Sequence, residues 1–185
     1  MSELLLLFVV SLLANLLSAL AGGGAGLLQL PALLHLGLPF AIALATHKIA
    51  SVALGVGATL RHWQTGQLNL KFSAFILLAG LPGVWLGTQI IVSIPELWAK
   101  LALGILTLAL GLYSIFKPKL GLNPQRIHRD TMGLSIGATV LFVIGILNGS
   151  LTSGTGLFVT LWLVRWFGLD FTRAVSYTLI LVGLF

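Results

Sequence analysis

Long apolar runs separated by short polar breaks dominate the sequence. Runs of the length that a helix needs to cross a bilayer, about 20 residues, predict helices over residues 4–20, 40–58, 70–92, 97–116 and 131–147, with a half-length helix over 27–36. Gly37 and Pro39 separate the half-length helix from its successor, because glycine ends helices and proline suits a first turn. We interpret the first run as a retained membrane helix, since Glu3 stands where a signal peptide carries basic residues.

Four glycines within residues 22–26 interrupt the first apolar stretch. Each glycine in a helix interior costs about 1 kcal/mol relative to alanine, so a continuous helix here would be costly. We therefore predict a glycine-broken helix, whose freed backbone groups must be satisfied at membrane depth by protein, water or a ligand. The alternative is that the glycines serve only close helix packing.

A second, looser copy of this break lies within residues 145–157. Three stretches match at an offset near 130 residues: Gly24-Ala25-Gly26 with Gly154-Thr155-Gly156, Leu36-Gly37-Leu38 with Phe167-Gly168-Leu169, and Ala43 with Ala174. Broken helices at matching positions of two halves indicate internal repeats and point to a transport site. If each break lies in a helix that crosses once, the repeats are parallel; if each folds back, they are inverted. The sequence leaves both topologies open.

The composition places these helices in a membrane. Hydrophobic residues make up 58% of the 185 residues, charged residues 8%, and the mean hydropathy is +1.09. The fold class predicted is therefore all-α, a polytopic transmembrane helical protein. Ten Lys and Arg against four Asp and Glu give a net charge of +6, which in a membrane protein reflects cytoplasmic loops and a preference for anions rather than nucleic acid. There is no cysteine, so disulfides and thiolate metal sites are excluded.

The charges also divide the chain. Residues 117–130 form the most basic connection, predicted as a cytoplasmic loop between a first transmembrane repeat over 1–116 and an incomplete second repeat over 131–185. Arg61 and Lys71 flank an earlier polar loop, predicted over 61–69. Two predicted spans separate it from residues 117–130, so both loops lie on the same side of the membrane. Arg165 and Arg173 complicate this count of Lys and Arg.

Ionisable residues within predicted spans are candidates for function. His47 and Lys48, preceded by Thr46, lie in the first third of the run over 40–58. In a binding site, Lys48 would attract an anion and His47 would donate a hydrogen bond or exchange a proton. The alternatives are that Lys48 extends to the membrane interface and that His47 packs against a neighbouring helix.

Polar and backbone groups around the two breaks form a second candidate set. Half-helix N-termini offer N–H donors and about half a positive charge each, which suits an oxyanion. The backbone donors predicted are Gly23, Gly24, Gly26, Gly154 and Gly156. The side chains are Asn15, Ser18 and Gln29 in the first half and Asn148, Ser150, Thr152, Ser153 and Thr155 in the second.

Metal binding and catalysis find little support. The four acids, Glu3, Glu96, Asp130 and Asp170, all stand near predicted helix ends, so no carboxylate cage for a cation is visible. The zinc motif HExxH, the P-loop and the GxSxG elbow are absent. We predict no enzymatic activity and no cofactor; a serine hydrolase using Ser153 is a minor alternative.

The sequence resembles the sulfite exporter TauE/SafE family of bacterial membrane proteins. The residues that carry the resemblance are 21–26, Pro31, 36–38, 43–48 and 61–67, with residues from 145 onward similar to the family's second repeat. The resemblance implies a multi-pass secondary transporter in the bacterial inner membrane that moves small sulfur-containing anions, such as sulfite or organosulfonates. From the two repeats of broken helices we further predict alternating access, as one repeat rocks against the other. A coupling ion, either a proton or sodium, is a candidate partner. The rival interpretation is a membrane scaffold or assembly subunit.

Two departures from the family pattern bear on this expectation. The second break, Thr152-Ser153-Gly154-Thr155-Gly156, is poorer in glycine than the family's, so the two half-sites need not be equivalent. The sequence also ends inside an apolar run, where the resemblance implies further spans. We therefore expect either a fragment or a shortened member that completes its fold by association, for example as a homo-oligomer.

Overall fold

A computed structural model describes residues 2–64, 68–116, 127–151 and 154–184. Within these residues the chain forms eight α-helices and no strand, which confirms the all-α fold class. The helices are α1 (Ser2–Ala21), α2 (Ala25–His35), α3 (Phe40–Gln64), α4 (Leu70–Ser93), α5 (Glu96–Phe116), α6 (Thr131–Ser150), α7 (Thr155–Phe167) and α8 (Phe171–Leu184). The glycine-rich stretches separate α1 from α2 and α6 from α7.

Helix α3 runs further than the hydrophobic pattern predicts. The prediction placed Arg61 and His62 in a loop, whereas both lie in the last turn of a helix that ends at Gln64. Arginine and glutamine are good helix formers, and no glycine or proline occurs between Gly57 and Gly66 to end the helix. His62 also gains a partner on α8, because its Nδ1 lies 3.0 Å from the Ser176 hydroxyl.

Each glycine break reverses the chain direction and produces a helical hairpin. In the first hairpin, the N–H groups of Gly22 and Gly23 both donate to the Ser18 carbonyl at 2.9 Å, and α2 then packs back along α1. Gln29 on α2 donates to the Ser11 hydroxyl on α1 at 3.0 Å. In the second hairpin, the Trp166 indole near the end of α7 donates to the Gly133 carbonyl near the start of α6 at 2.9 Å.

The two hairpins open toward opposite ends of the bundle. Helices α3 and α8 are antiparallel, because His62 meets Ser176 while Gly55 meets Gly183. Since α3 follows the open end of the first hairpin and α8 follows the open end of the second, those ends lie apart. The fold-back of both breaks is the arrangement that an inverted pair of repeats requires; that the halves are internal repeats remains a prediction.

Small residues let the long helices approach closely. A Cβ atom added at Gly83 or Gly87 of α4 would collide with carbonyl oxygens of α6, and one added at Gly145 or Gly149 of α6 would collide with carbonyl oxygens of α4. In a bilayer, where lipid is as apolar as the side chains, close backbone packing of this kind drives helix association. The α4–α6 pair is thus held together by glycine faces.

Glu96 at the start of α5 caps the start of α3. Its Oε1 accepts the Phe40 N–H at 3.1 Å and pairs with Lys100 at 2.9 Å. The hydrogen bond from Lys100, and then that from Phe40, hold the pKa of the Glu96 carboxyl below its usual value. This contact places the starts of α3 and α5 at one end of the bundle.

By length and apolar composition, three described helices can cross a membrane: Phe40–His62, Leu70–Ser93 and Thr131–Ser150. With 11 residues at about 1.5 Å each, α2 covers roughly half of a 30 Å hydrocarbon core. The outer face of α1 leaves large apolar side chains exposed, among them Leu5, Phe8 and Leu12. Such a surface fits a lipid environment.

Candidate functional site

The two glycine breaks touch each other at the centre of the bundle. A Cβ atom added at Gly23 would lie 2.6 Å from the Gly156 Cα, and one added at Gly156 would lie 2.8 Å from the Gly23 Cα. Both distances are shorter than real Cβ contacts allow, so only glycine fits on either side. The first turn of α7 therefore rests directly on the first break.

A buried chain of hydroxyl groups fixes this contact. The Thr160 hydroxyl on α7 donates to the Gly22 carbonyl at 2.8 Å, and it lies 2.8 Å from the Thr178 hydroxyl on α8. Because a hydroxyl has one proton, Thr178 must be the donor to Thr160. The hydrogen bond to the freed Gly22 carbonyl thus comes from the other half of the chain, 138 residues away.

We expect Thr160→Val to destabilise the protein by about 1–3 kcal/mol, because it leaves the buried Gly22 carbonyl without its donor. The side chain keeps its shape, so the effect reports the hydrogen bond rather than packing. Unfolding of the purified protein in detergent would measure it. Thr139→Val is the matched control, since the exposed Thr139 hydroxyl donates to the Ser135 carbonyl of its own helix. Equal stability of the two variants would contradict the role of Thr160.

A cavity of about 70 Å³ lies beside the contact between the breaks. Residues of α1, α2, α3, α6, α7 and α8 line it. They are Ser18, Gly24, Ala25, Gly26, His47, Lys48, Ser51, Val52, Asn148, Gly156 and Val182. None of these lining residues is an acid.

An ammonium group and two helix N-termini lie at this cavity, beside the negatively polarised C-terminal end of α6. The Lys48 ammonium group donates to the Asn148 carbonyl at 3.2 Å, at the C-terminal end of α6. Helices α2 and α7 both begin at the cavity, with the left-handed glycines Gly24 (φ 103°) and Gly154 (φ 71°) as their N-caps. A glycine has no side chain that could cap the first-turn N–H groups. The positive ends of two helix dipoles thus lie near one ammonium group.

Ser18 contributes a hydroxyl that needs a partner. Its side chain is 2% exposed, lines the cavity, and finds no hydrogen-bond partner for Oγ among the described residues. A buried polar atom without a partner is costly and calls for an explanation. A polar ligand in the cavity would supply that partner.

Hydrogen bonds from Ser11 through Gln29 orient the His47 ring at the cavity. The Gln29 amide donates through Nε2 to Ser11, which directs Oε1 toward His47 Nδ1 at 2.8 Å. Nδ1 must therefore carry a proton, and in the neutral ring Nε2 is the acceptor. Nε2 lies 3.3 Å from the Ser51 hydroxyl, whose single proton can be donated either to Nε2 or to the His47 carbonyl at 3.0 Å.

Six of the eleven residues predicted for the site line the cavity: Gly24, Gly26, His47, Lys48, Asn148 and Gly156. Four lie elsewhere. Gly23 and Gly154 form the turns behind the cavity, the Thr155 hydroxyl donates to the Asn148 side chain at 2.6 Å, and the Thr46 hydroxyl donates to its own helix at Ile42. Ser153 lies outside the described residues.

Sequence reasoning did not single out Ser51 or Thr160. A signal existed for Ser51, because it stands four residues after His47, on the same helix face. No local pattern marks Thr160, whose partners are distant in sequence. Within the described ranges, no three His, Cys, Asp or Glu side chains are grouped as metal ligands.

Known proteins match this chain along almost its whole length. The family model described as Sulfite exporter TauE/SafE matches residues 7–185, which confirms the resemblance drawn from the glycine breaks. A "Probable membrane transporter protein" of Haemophilus influenzae is 37% identical over 94% of this chain and 67% of its own length. The Sinorhizobium protein "Probable membrane transporter protein ORF9" is 31% identical over 93% of this chain and 65% of its own length.

The Escherichia coli K12 protein "Probable membrane transporter protein YfcA" is 29% identical over 95% of this chain and 64% of its own length. The chain thus spans about two thirds of the length of these curated relatives. No solved structure matches it.

Proposed function

The chain belongs to the sulfite exporter TauE/SafE family, and we propose that it is a secondary transporter of a small sulfur-containing oxyanion such as sulfite. The relatives' printed names, which describe probable membrane transporters, support transport. The central observation is the cavity itself. It brings together the Lys48 ammonium group, two helix N-termini with glycine caps and the Ser18 hydroxyl, which has no hydrogen-bond partner in the described part of the chain, and no acid lines it.

Its size favours the smaller members of this substrate class. Pockets for drug-sized ligands measure about 300–1,000 Å³, whereas this cavity measures about 70 Å³. In this conformation it suits a compact oxyanion better than an organosulfonate with an attached chain. We infer that the sulfur oxyanion group is the part of the substrate that the site recognises.

The hairpins suggest how access would alternate. Gly24 and Gly156 place one hairpin on each side of the cavity, and the hairpins open toward opposite ends of the bundle. Separating them at the Gly23–Gly156 contact would expose the cavity toward one end at a time, as in transporters built from inverted halves. His47 is the lining residue that could exchange a proton, so a proton suits the coupling role better than sodium.

The described cations favour one orientation in the bacterial inner membrane. Arg61, Lys71, Arg129, Arg165 and Arg173 all lie at the end where α3 finishes and α4, α6 and α8 begin, whereas Lys100 lies at the other end. Arg165 and Arg173 thus lie at the same end as the other basic residues, in agreement with the side predicted from Lys and Arg in the loops. By the excess of Lys and Arg in short cytoplasmic segments, the former end faces the cytoplasm.

Single cysteines would test this orientation, since the chain has none of its own. We expect a membrane-impermeant maleimide to label Ser93→Cys in intact spheroplasts. Ser93 is exposed and is the last residue of α4, at the same end of the bundle as Lys100. Thr172→Cys, exposed at the start of α8, should react only after the membrane is opened. The reverse pattern would contradict the assignment.

Ligand-dependent stability of the purified protein tests the proposed function. Sulfite, sulfate, thiosulfate, taurine and sulfoacetate would be compared in detergent at fixed ionic strength. A ligand at 100 times its Kd stabilises by about 2.7 kcal/mol, which a thermal shift detects. We expect sulfite to stabilise more than taurine or sulfoacetate. No shift with any of these anions would favour the scaffold interpretation instead.

A further inference from the structure

A second, larger cavity lies at the proposed cytoplasmic end, away from the site between the hairpins. Its volume is about 620 Å³, and its walls come from the segments that begin α4, α6 and α8. Three cationic side chains line it, Lys71, Arg129 and Arg173, each exposed. Apolar side chains, including Phe75 and Leu134, form most of the rest of its lining, together with Asn69 and Tyr177.

Arg129 is held over this cavity by aromatic rings. Its guanidinium lies 4.2 Å from the centre of the Phe72 ring and 5.0 Å from that of Phe167. Cations at such distances from a ring face are attracted to it. The contact therefore directs the Arg129 side chain toward the cavity.

The residue before Arg129 is fixed in a rare backbone conformation. His128 has φ 51°, the left-handed region that residues other than glycine seldom adopt. Its ring stacks on Trp166 with centroids 4.0 Å apart, and its Nδ1 donates to the Trp166 carbonyl at 2.8 Å. Strain that surrounding contacts maintain is found most often at functional sites. The conformation of His128 fixes the backbone direction at Arg129, the next residue.

The charge balance at this cavity stays positive. Asp170 pairs with Arg173 at 3.4 Å and also accepts the Arg173 N–H. Asp130 follows Arg129, and a Cβ at Gly133 would meet its carboxylate, so Asp130 is directed toward α6. The residues that line the cavity include three cations and no acid.

We propose that this cavity binds an anionic phospholipid, whose phosphate meets Lys71, Arg129 and Arg173 and whose acyl chain packs along Phe75 and Leu134. Basic pockets between helices at the cytoplasmic side are suited to anionic head groups. The apolar lining distinguishes a lipid from a free anion, which would gain nothing from it. The volume also exceeds what a lone phosphate would fill.

Lipid binding to the purified protein in detergent, measured by native mass spectrometry, tests this proposal. We expect phosphatidylglycerol to bind and phosphatidylcholine to bind far more weakly. The double variant K71Q/R173Q should weaken phosphatidylglycerol binding by at least about fivefold, because one cation near an anionic lipid contributes about a fivefold factor in affinity and Asp170 already offsets part of the Arg173 charge. Arg61→Gln is the matched control, since Arg61 is exposed at the same end but does not line the cavity.

Three outcomes would overturn the proposal: equal binding of the two lipids, unchanged binding in K71Q/R173Q, or equally tight binding of soluble glycerol phosphate, which would indicate a free-anion site. If the double variant did not fold, the wild-type protein would still decide. Its preference for phosphatidylglycerol should fall as salt is raised, since exposed charges are screened. A preference independent of salt would contradict the role of the three cations.

Discussion

Replacing Gly23 by alanine should destabilise the protein by about 3 kcal/mol or more. Two costs combine at this position. Gly23 has φ 111°, where a Cβ adds about 1–2 kcal/mol of backbone strain. The new methyl would also lie 2.6 Å from the Gly156 Cα and 2.9 Å from its carbonyl carbon, and overpacking adds about 1–3 kcal/mol.

Other glycines separate the two costs. Gly37→Ala carries the strain alone, since φ is 80° and nothing lies within 4 Å of its Cβ position. Gly156→Ala carries the collision alone, because no left-handed φ occurs there. Gly57→Ala carries neither and serves as the control.

Unfolding of the four variants in detergent should therefore rank Gly57→Ala as most stable and Gly23→Ala as least stable. If Gly156→Ala behaved like Gly57→Ala, the hairpins would not be in contact. The same series tests the interpretation that the glycines serve only helix packing. It measures the stability of the ligand-free protein, whereas the transport proposal also requires that an anion change this stability.

The sequence predicts the two breaks but not the reversal of the chain at each. Glycines at 22–24 are compatible with an interrupted crossing and with a turn. The reversal is held by Thr160 on Gly22 and by Gly156 against Gly23. These partners are more than 130 positions apart, so no local pattern contains them.

The cationic and titratable part of the site is easier to predict, because an ionisable residue in an apolar run is a strong signal. His47 and Lys48 both line the cavity. Thr46 belongs to the same triplet but not to the lining, since successive helix residues are rotated by about 100°. Its hydroxyl bonds to Ile42 instead. Periodicity within a helix therefore decides which members of a motif can share a site.

Local composition fails where tertiary contacts decide. The polarity of Arg61 and His62 predicted a loop, yet α3 continues to Gln64 and His62 meets Ser176 on α8. The sequence places Ser18 among eight candidate polar side chains around the breaks without ranking them. Its burial at the cavity, with no partner for its hydroxyl among the described residues, is what distinguishes it within that set.

The second large effect is expected at Lys48. We predict that Lys48→Met weakens anion binding by about 30-fold, because a hydrogen bond to a charged group contributes about 1.5–3 kcal/mol, equivalent to roughly 10–150-fold in affinity. Lys48→Arg should keep part of the affinity, since it keeps the charge but changes the donor geometry. Sulfite titration of the purified variants, followed by calorimetry or by thermal shift, measures both.

Lys100→Met is the matched control, because Lys100 is a surface lysine paired with Glu96 at the opposite end of α3 from Arg61. Removing Lys48 also takes a donor from the Asn148 carbonyl, so ligand-free stability should fall as well. Affinity measured well below the unfolding temperature separates the two effects. If Lys48→Met were less stable but bound sulfite as tightly as the wild type, Lys48 would serve only to cap the C-terminus of α6, and the anion would be held by the helix N-termini of α2 and α7 alone.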